Sequence, residues 1–517
     1  MKLIMTHGYM LSGTGSNVYV QSLCRALVGE GHELHVICQE PDPLSFDFVN
    51  AHATVDADGV HEQGERETSF PGRCTVYVPD IGDLLPVYVY DEYEGWRVKT
   101  FLDLTQAELD NYLDRNVGAV QSVLGASEAE GVIVNHSVPG PLIARRALQG
   151  SGVNYVSIVH GSCLQYLSRR SEKYMGLTRE GLEGAAEILA LSSHSVGTVV
   201  EDFPDLADRI EALPGGVDTG LFSPDAFDLG GVEKLNGGPG RGPDQRSAVE
   251  EALGRSGNAT ELAEALRDVA ASYDARAHDS DAGERIRRFL DREGPVVVYV
   301  GKLIHSKGVH SLLSALARVR KQTGARLLVV GFGTFREGLE ALTLALSEGD
   351  ESTVERLAEM GKLLEGGTAG PLEHFELSDE LLADAAGMAE DVLFTGAIYH
   401  GDLPKLLPAA DVASVPSIFP EAFGLVAAEF AASGVVPFVA NHSGLEEAGG
   451  LVGKDLPFDL RVGMDGFEEN LAGALTDYLQ LPDEERQRCE EIVRRNSVED
   501  LSWGTLAEKL VGLVAGR

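Results

Sequence analysis

The chain has 517 residues, 44% of them hydrophobic, and carries 42 Lys and Arg against 81 Asp and Glu, a formal net charge of −39. That length exceeds one ordinary core and predicts two large domains with insertions. So acidic a surface repels nucleic acid and anionic lipid, excluding both as partners held by general electrostatics, and it suits solubility, including in a salt-rich cytoplasm.

The five cysteines, Cys24, Cys38, Cys74, Cys163 and Cys489, are scattered, odd in number and without CxxC spacing. This argues for a reducing compartment and against a zinc site. The opening MKLIMTHGYM reads as a first strand rather than a signal peptide, and no stretch approaches the ~20 apolar residues of a membrane span. The expectation is a soluble, cytoplasmic protein without strong membrane binding.

In chain order, Lys2–Thr6 predicts a buried strand, His7–Gly15 a glycine loop, Asn17–Glu30 an amphipathic helix with Val20, Leu23, Cys24 and Leu27 on one face, and Glu33–Cys38 a second strand. This is the opening of a Rossmann-like half. Gly13-Thr14-Gly15 begins a GxGxxG pattern, but Val18 stands where its third glycine belongs, so the loop is weak evidence for a dinucleotide. Thr75–Val78 and Val87–Tyr90 predict further strands, and Leu104–Val123 a helix. The aromatic group Tyr88, Tyr90, Tyr93 and Trp96 reads as cover for a core edge in preference to a sugar platform. Val132–Val134 and Tyr155–Val159 each run into a loop with a histidine, His136 and His160, at the strand end where open α/β sheets bind ligands. Ile188–Leu191 and Ile210–Leu213 complete the half.

Residues 225–292 break this rhythm with a Gly- and Pro-rich stretch, Gly230–Gly242, and then acidic helical segments. Pro295–Val300 (PVVVYV) opens a second Rossmann-like half, with a loop Lys302–Gly308, a helix Val309–Thr323 and a strand Arg326–Val330. A second acidic helical insertion spans about 336–388. Val392–Thr395 resumes the sheet, Leu403–Ala409 predicts a short helix, and Phe467–Leu479, Asp483–Asn496 and Trp503–Ala515 predict closing helices.

The stretch Asp411–Glu447 organises the second half as strand, loop, helix and strand. Its loop presents Glu421 just before a helix start, and Glu429 follows about two turns later on the side of Leu425. A helix start after a glycine-containing loop offers free N–H groups and positive dipole to a phosphate. Taken alone, the spacing reads more simply, with Glu421 capping the helix and Glu429 on a solvated face.

The Glu-x7-Glu spacing in PEAFGLVAAE resembles the signature of family 4 retaining glycosyltransferases of GT-B fold. Other segments are similar to that family in the expected order. Gly301-Lys302-Leu303-Ile304-His305-Ser306-Lys307-Gly308 resembles its G-R-L-x-x-x-K-G loop, with Lys302 in place of arginine. Pro214–Asp218 with Phe222-Ser223-Pro224 resembles its hinge, with Gly215 in place of asparagine. Phe394–Ile398 resembles its base-receiving segment, and Gly13–Ser16 and His160-Gly161 its N-terminal glycine loop and active-site histidine.

The resemblance implies two Rossmann-like domains facing across a cleft. The first spans residues 1–222, with a terminal helix at about 500–517 packing back on it; a helical linker spans 223–292, and a donor domain 293–499 carries the insertion at 336–388. It implies transfer of a hexose from a UDP- or GDP-linked sugar to a small-molecule or glycan hydroxyl, with retention and without an obligatory metal or other cofactor. Lys302 and Lys307 would take the diphosphate together with the amides of Phe423, Gly424 and Leu425, near Gly15 and Gly301. Glu429 would hold the ribose, Ile398 the base, and Glu421 the sugar hydroxyls. His160 would sit by the reacting carbon. Gly13 and His136, the latter without a match in the family, are acceptor-side candidates. A homodimer is compatible with this reading. The rivals are another GT-B or Rossmann enzyme, such as a sugar-nucleotide epimerase, a phosphorylase or an NAD-dependent oxidoreductase, and a non-catalytic nucleotide-sugar sensor.

Overall fold

Apolar, β-branched runs bounded by glycine and polar loops become parallel strands here, and the amphipathic stretches between them become crossover helices. The computed structural model describes every residue except 14, 90–92, 94, 236–239 and 517, so Thr14 of the glycine loop and Tyr90 of the aromatic group lie outside the described residues. The chain divides into two units, Met1–Gly216 with Leu501–Arg517, and Val217–Asp500.

In the first unit the strands are β1 (Lys2–Thr6), β2 (Glu33–Ile37), β3 (Ala51–Asp56), β4 (Gly59–Glu65), β5 (Arg73–Pro79), β6 (Leu84–Val87), β7 (Arg97–Thr100), β8 (Gly131–Asn135), β9 (Tyr155–Val159), β10 (Glu187–Ala190) and β11 (Ile210–Ala212). Nine of them form a sheet in the order β11-β10-β9-β8-β1-β2-β5-β3-β4, parallel apart from the β3–β4 hairpin at its edge. Strands β6 and β7 make a separate two-stranded parallel ribbon. The expected strand Val87–Tyr90 is thus displaced: the strand ends at Val87, because Leu84 and Leu85 are the residues that pack into the core. The helix expected from Leu104 begins at Gln106, where Thr105 and Glu108 form a capping box. The C-terminal helix Trp503–Val514 lies against the helix Ser16–Gly29, with the Trp503 ring edge-on to Tyr19 at 5.0 Å. A Cβ on Gly216 would fall 2.5 Å from the same indole, which explains the glycine there.

The second unit holds β12 (Val296–Val300), β13 (Arg326–Val330), β14 (Val392–Phe394), β15 (Val412–Val415), β16 (Val436–Ala440) and β17 (Arg461–Val462). They form one parallel sheet in the order β14-β13-β12-β15-β16-β17. The chain winds outward in one direction through β12, β13 and β14, then returns beside β12 with β15 and winds the other way. The connections after β12 and β15 therefore leave toward opposite edges of the sheet, and the ends of these two strands mark the usual ligand position in such sheets. The expected helix Leu403–Ala409 is instead two 3-10 turns, Leu403–Lys405 and Leu407–Ala409, each with a proline in its first turn and too short for an α-helix.

Both insertions belong to this unit and are tied to each other by charge. Arg241 and Arg336, Asp279 and Glu337 are fully buried. Arg336 reaches Asp279 at 2.8 Å and Glu340 at 3.1 Å, Arg241 reaches Glu340 at 2.5 Å, and Arg285 reaches Asp279 at 2.9 Å. Tyr273 donates to Glu337 at 2.7 Å. Buried charges are tolerated only when compensated in this way, and removing one partner strands the other.

Among the described residues no helix is long and apolar enough to cross a membrane. One buried carboxyl sets a pH dependence. Glu468, in the helix Phe467–Leu479, accepts the Glu376 N–H at 3.3 Å, and burial pushes its pKa up to about 7. An acid raised above its unfolded value of 4.5 contributes fully below that pH, and the contribution is lost as pH rises through 7. Glu468→Gln removes this loss. Its stability relative to the wild-type chain, measured by urea unfolding, is expected to rise between pH 4.5 and pH 8 by up to about 3 kcal/mol; a difference that does not change with pH contradicts the assignment.

Candidate active site

In the second unit the loops after β12 and β15 are stitched together. Ile418 donates its N–H to Ser306 O at 2.9 Å, and Ser417 Oγ lies 3.2 Å from the same carbonyl. Gly308 makes this possible. Its φ of +66° is in the left-handed region, and a Cβ there would meet Pro416 O at 2.0 Å. Across the seam Lys307 Nζ donates to Glu421 Oε1, which also accepts from Ser417 Oγ at 2.7 Å. Glu421 N–H in turn donates to Ser443 Oγ at 2.9 Å, while His442 lies 2.6 Å from Ser417 O through Nε2. The two expected site residues Lys307 and Glu421 are thus brought into one charge-assisted pair. Lys302 lies on the same loop, exposed, with its ammonium unpaired among the described residues. Its neighbour Gly301 is compressed: a Cβ would fall 2.6 Å from Tyr299 Oη, and a Cβ on Gly331 would strike Gly301 O.

The helix Leu425–Ala432 starts after Gly424, whose φ of +103° no ordinary side chain adopts and whose Cβ would strike Leu445 at 2.5 Å. Phe423 is buried, so only its backbone is available at this turn. Glu429 projects from the helix and accepts from His400 Nε2 at 2.7 Å. Burial pushes the His400 pKa down, but the hydrogen bond and charge of Glu429 and the charge of Asp218 outweigh it and leave the imidazole raised. Ile398, two residues before His400, is buried.

Gly13, Gly15, His136 and His160 belong to the first unit. There Asn135 Nδ2 donates to Thr6 O at 3.1 Å, which turns its Oδ1 toward His160 Nε2 at 3.1 Å and fixes that imidazole as the Nε2–H tautomer. Asn17 acts in the same way, donating to Ser12 O at 2.8 Å and receiving His7 Nε2 at 3.0 Å. The buried Glu40 carboxylate accepts the N–H groups of Leu11 and Ser12, both at 3.0 Å, and holds the glycine loop from below. A Cβ on Gly13 would press on Asn17 at 3.2 Å, whereas Gly15 faces open space.

His136 sits between His7, stacked at 5.4 Å, and His160, tilted at 4.8 Å. Its φ of +71° is strained for a residue with a Cβ. Burial holds all three imidazoles neutral, pushing His7 down to about 4 and His160 to about 3, with His136 lower than the usual histidine range as well. Thr6, His7, Tyr9, Tyr88, Asn135 and His136 line a cavity of about 40 Å³. Among the described residues no three His, Cys, Asp or Glu side chains form a cluster that could hold a metal ion.

His7, Asn17, Glu40, Asn135, His400 and Ser443 escaped sequence reasoning. Asn17 and Asn135 carried a usable signal, since each adjoins a loop already singled out; Glu40 and His400 carried none, because their partners are distant in the chain.

Comparison with known proteins places these units in a class. Solved structures match across the whole chain: the Anabaena protein HepE in complex with UDP and glucose aligns over 100% of this chain and 100% of its own, with a TM-score of 0.53 at 13% identity. The fold is therefore GT-B. A model of the glycosyl transferase 4-like domain matches residues 14–216, and one of the glycosyl transferases group 1 matches 281–356 and 373–495. The chain belongs to the group 1 glycosyltransferases. Among curated relatives, glycogen synthase of Mycobacterium tuberculosis is 29% identical over 221 residues, 42% of this chain and 41% of that protein. D-inositol 3-phosphate glycosyltransferase of Segniliparus rotundus is 34% identical over 169 residues, 32% of this chain and 29% of that protein. The chain thus spans less than half the length of the curated relatives it matches.

Gly308→Ala tests the seam between the two loops. A left-handed backbone and a Cβ driven into a carbonyl cost about 2 kcal/mol or more. A lowered thermal midpoint is expected, and an unchanged one contradicts the close approach of Gly308 to Pro416.

Proposed function

We propose that this chain is a retaining hexosyltransferase that moves a hexose from a UDP- or GDP-linked donor to a hydroxyl of a small-molecule or glycan acceptor. The observation that carries the reading is the Lys307–Glu421 pair beside the exposed Lys302, at the point where the strand order of the second unit reverses. Two cations at a strand-end loop suit a diphosphate leaving group, whose charge grows as the sugar–phosphate bond breaks. The family membership and the UDP bound by the Anabaena neighbour support a nucleotide-sugar donor.

In this reading residues 1–222, with the terminal helix, form the acceptor half, residues 293–499 form the donor half, and 223–292 join them. Lys302 and Lys307 bind the diphosphate together with Gly301 and the amides of Phe423, Gly424 and Leu425. Glu429 receives the ribose and Ile398 the base, while Glu421 takes the hydroxyls of the donor sugar. His160, neutral and fixed by Asn135, offers a hydrogen bond near the anomeric carbon. Gly13 and His136 border the acceptor. The bond between the anomeric carbon and the diphosphate oxygen breaks as the acceptor oxygen bonds on the same face. The acceptor's hydroxyl proton passes to the departing diphosphate. No metal takes part in these steps, and the protein works in the cytoplasm.

Incubation with UDP- and GDP-hexoses and pooled hydroxyl acceptors, following nucleoside diphosphate release and the anomeric configuration of the product by NMR, tests this. Retention is expected, and Lys307→Ala and Glu421→Ala, folded by circular dichroism, are each expected to lower the rate about 100-fold or more. Full activity in both variants overturns the site, and an inverted product overturns the mechanism.

A further inference from the structure

The loop that follows β14 is held at both ends. At its start the inserted segment grips it. His278 bridges Gly396, the Asp279 N–H donates to Thr395 O at 3.0 Å, and Arg285 donates to Phe394 O at 3.1 Å. Gly396 has a φ of +78°, and a Cβ there would meet the Asp279 carboxylate at 2.7 Å, so the two segments are fitted to each other. Asp279 is itself fixed by Arg336 and Arg285 in the buried ionic network. At its far end the loop delivers His400 to Glu429 at 2.7 Å, with the His400 ring backed by the buried Phe222 at 5.1 Å. His278, Asp279 and Phe222 fall between the two stretches that the family models match, residues 14–216 and 281 onward.

Glu429 has two carboxylate oxygens. Oε1 is occupied by His400, while Oε2 has no hydrogen bond among the described residues, and the side chain remains 15% exposed. A free glutamate must give up rotamer freedom when it takes a ligand; one already held by a second hydrogen bond does not. We propose that His400 is a positioning residue for the donor nucleoside, holding Glu429 by Oε1 so that Oε2 is presented to the ribose hydroxyls. The inference rests on the reading above that Glu429 receives the ribose. It adds that the inserted segment 273–285, by fixing the loop that carries His400, is part of the device that selects a ribonucleotide.

Calorimetric titration of UDP and GDP, each beside its 2′-deoxy and 3′-deoxy forms, into the wild-type chain, Glu429→Gln, His400→Ala and His400→Gln tests it. The wild-type chain is expected to favour one ribonucleotide over a deoxy form by about tenfold, the worth of one hydrogen bond to a charged group. His400→Ala should reduce that preference to about twofold, and raise the donor KM far more than it lowers kcat. His400→Gln, which keeps a donor at this place, should restore most of the preference. A merely structural role for His400 would weaken ribo and deoxy forms alike, and that outcome overturns the inference. If Glu429→Gln loses the preference while His400→Ala keeps it, the inference falls and the donor site stands. If Glu429→Gln binds every nucleotide as the wild-type chain does, or the wild-type chain binds neither UDP nor GDP, the donor-site reading falls and takes this inference with it.

Discussion

The contact on which the geometry of the candidate site depends is the pair between Lys307 and Glu421. It joins the loop after β12 to the loop after β15, the two neighbours in the sheet whose crossover helices leave in opposite directions. Everything close to the pair serves to let these loops approach. Gly308 has no side chain because Pro416 O stands where its Cβ would be, Gly424 turns the chain into the helix Leu425–Ala432, and Ser417 and Ser443 hold the Glu421 carboxylate and amide. The result is a carboxylate and a cation fixed side by side, with Lys302 nearby in solvent. In a chain of net charge −39, a loop with two lysines is a place that an anionic ligand would find.

The same unit spends its insertions on rigidity. Arg241, Arg285 and Arg336 face Asp279, Glu337 and Glu340 largely out of water, with Arg285 and Glu340 partly exposed, and Asp279 also reaches the strand-end segment at Thr395. A buried pair adds little net stability, but it allows few alternative arrangements and so sets a register. From Thr395 the backbone runs on to His400 and Glu429, so inserted and family-matched residues meet at one strand end. Arg494 closes this unit from the other side, donating to Phe222 O, Ala432 O and Thr219 O at 2.6–2.9 Å. In the first unit the corresponding order comes from amides, Asn17 and Asn135, which fix His7 and His160 without introducing charge.

Much of the fold was legible because its signals are local. PVVVYV is buried from Val296 to Tyr299, Phe467–Leu479 follows its helical period end to end, and the GT-B architecture that the resemblance implied is the one observed. The hairpin Ala51–Glu65 was not legible: it lies at a sheet edge, and its second strand, GVHEQGE, has one apolar residue to show. The two-residue β17 gave no pattern at all. At the candidate site the residue types could be read, since glycines and charges at strand ends are unusual enough to notice. Their partners could not. Lys307 and Glu421 are 114 residues apart, Asp279 and Arg336 57, and His400 and Glu429 29. Only the strand order brings such pairs together, and no periodicity encodes it.

The most direct test is calorimetric titration of UDP, GDP and ADP into the folded chain at low and high salt. Binding of UDP or GDP, weakening as salt rises because a diphosphate meets the exposed Lys302 and the loop of Lys307, is the expected result. No heat of binding with any of the three nucleotides at either salt concentration would contradict a nucleotide-sugar site at the loops after β12 and β15.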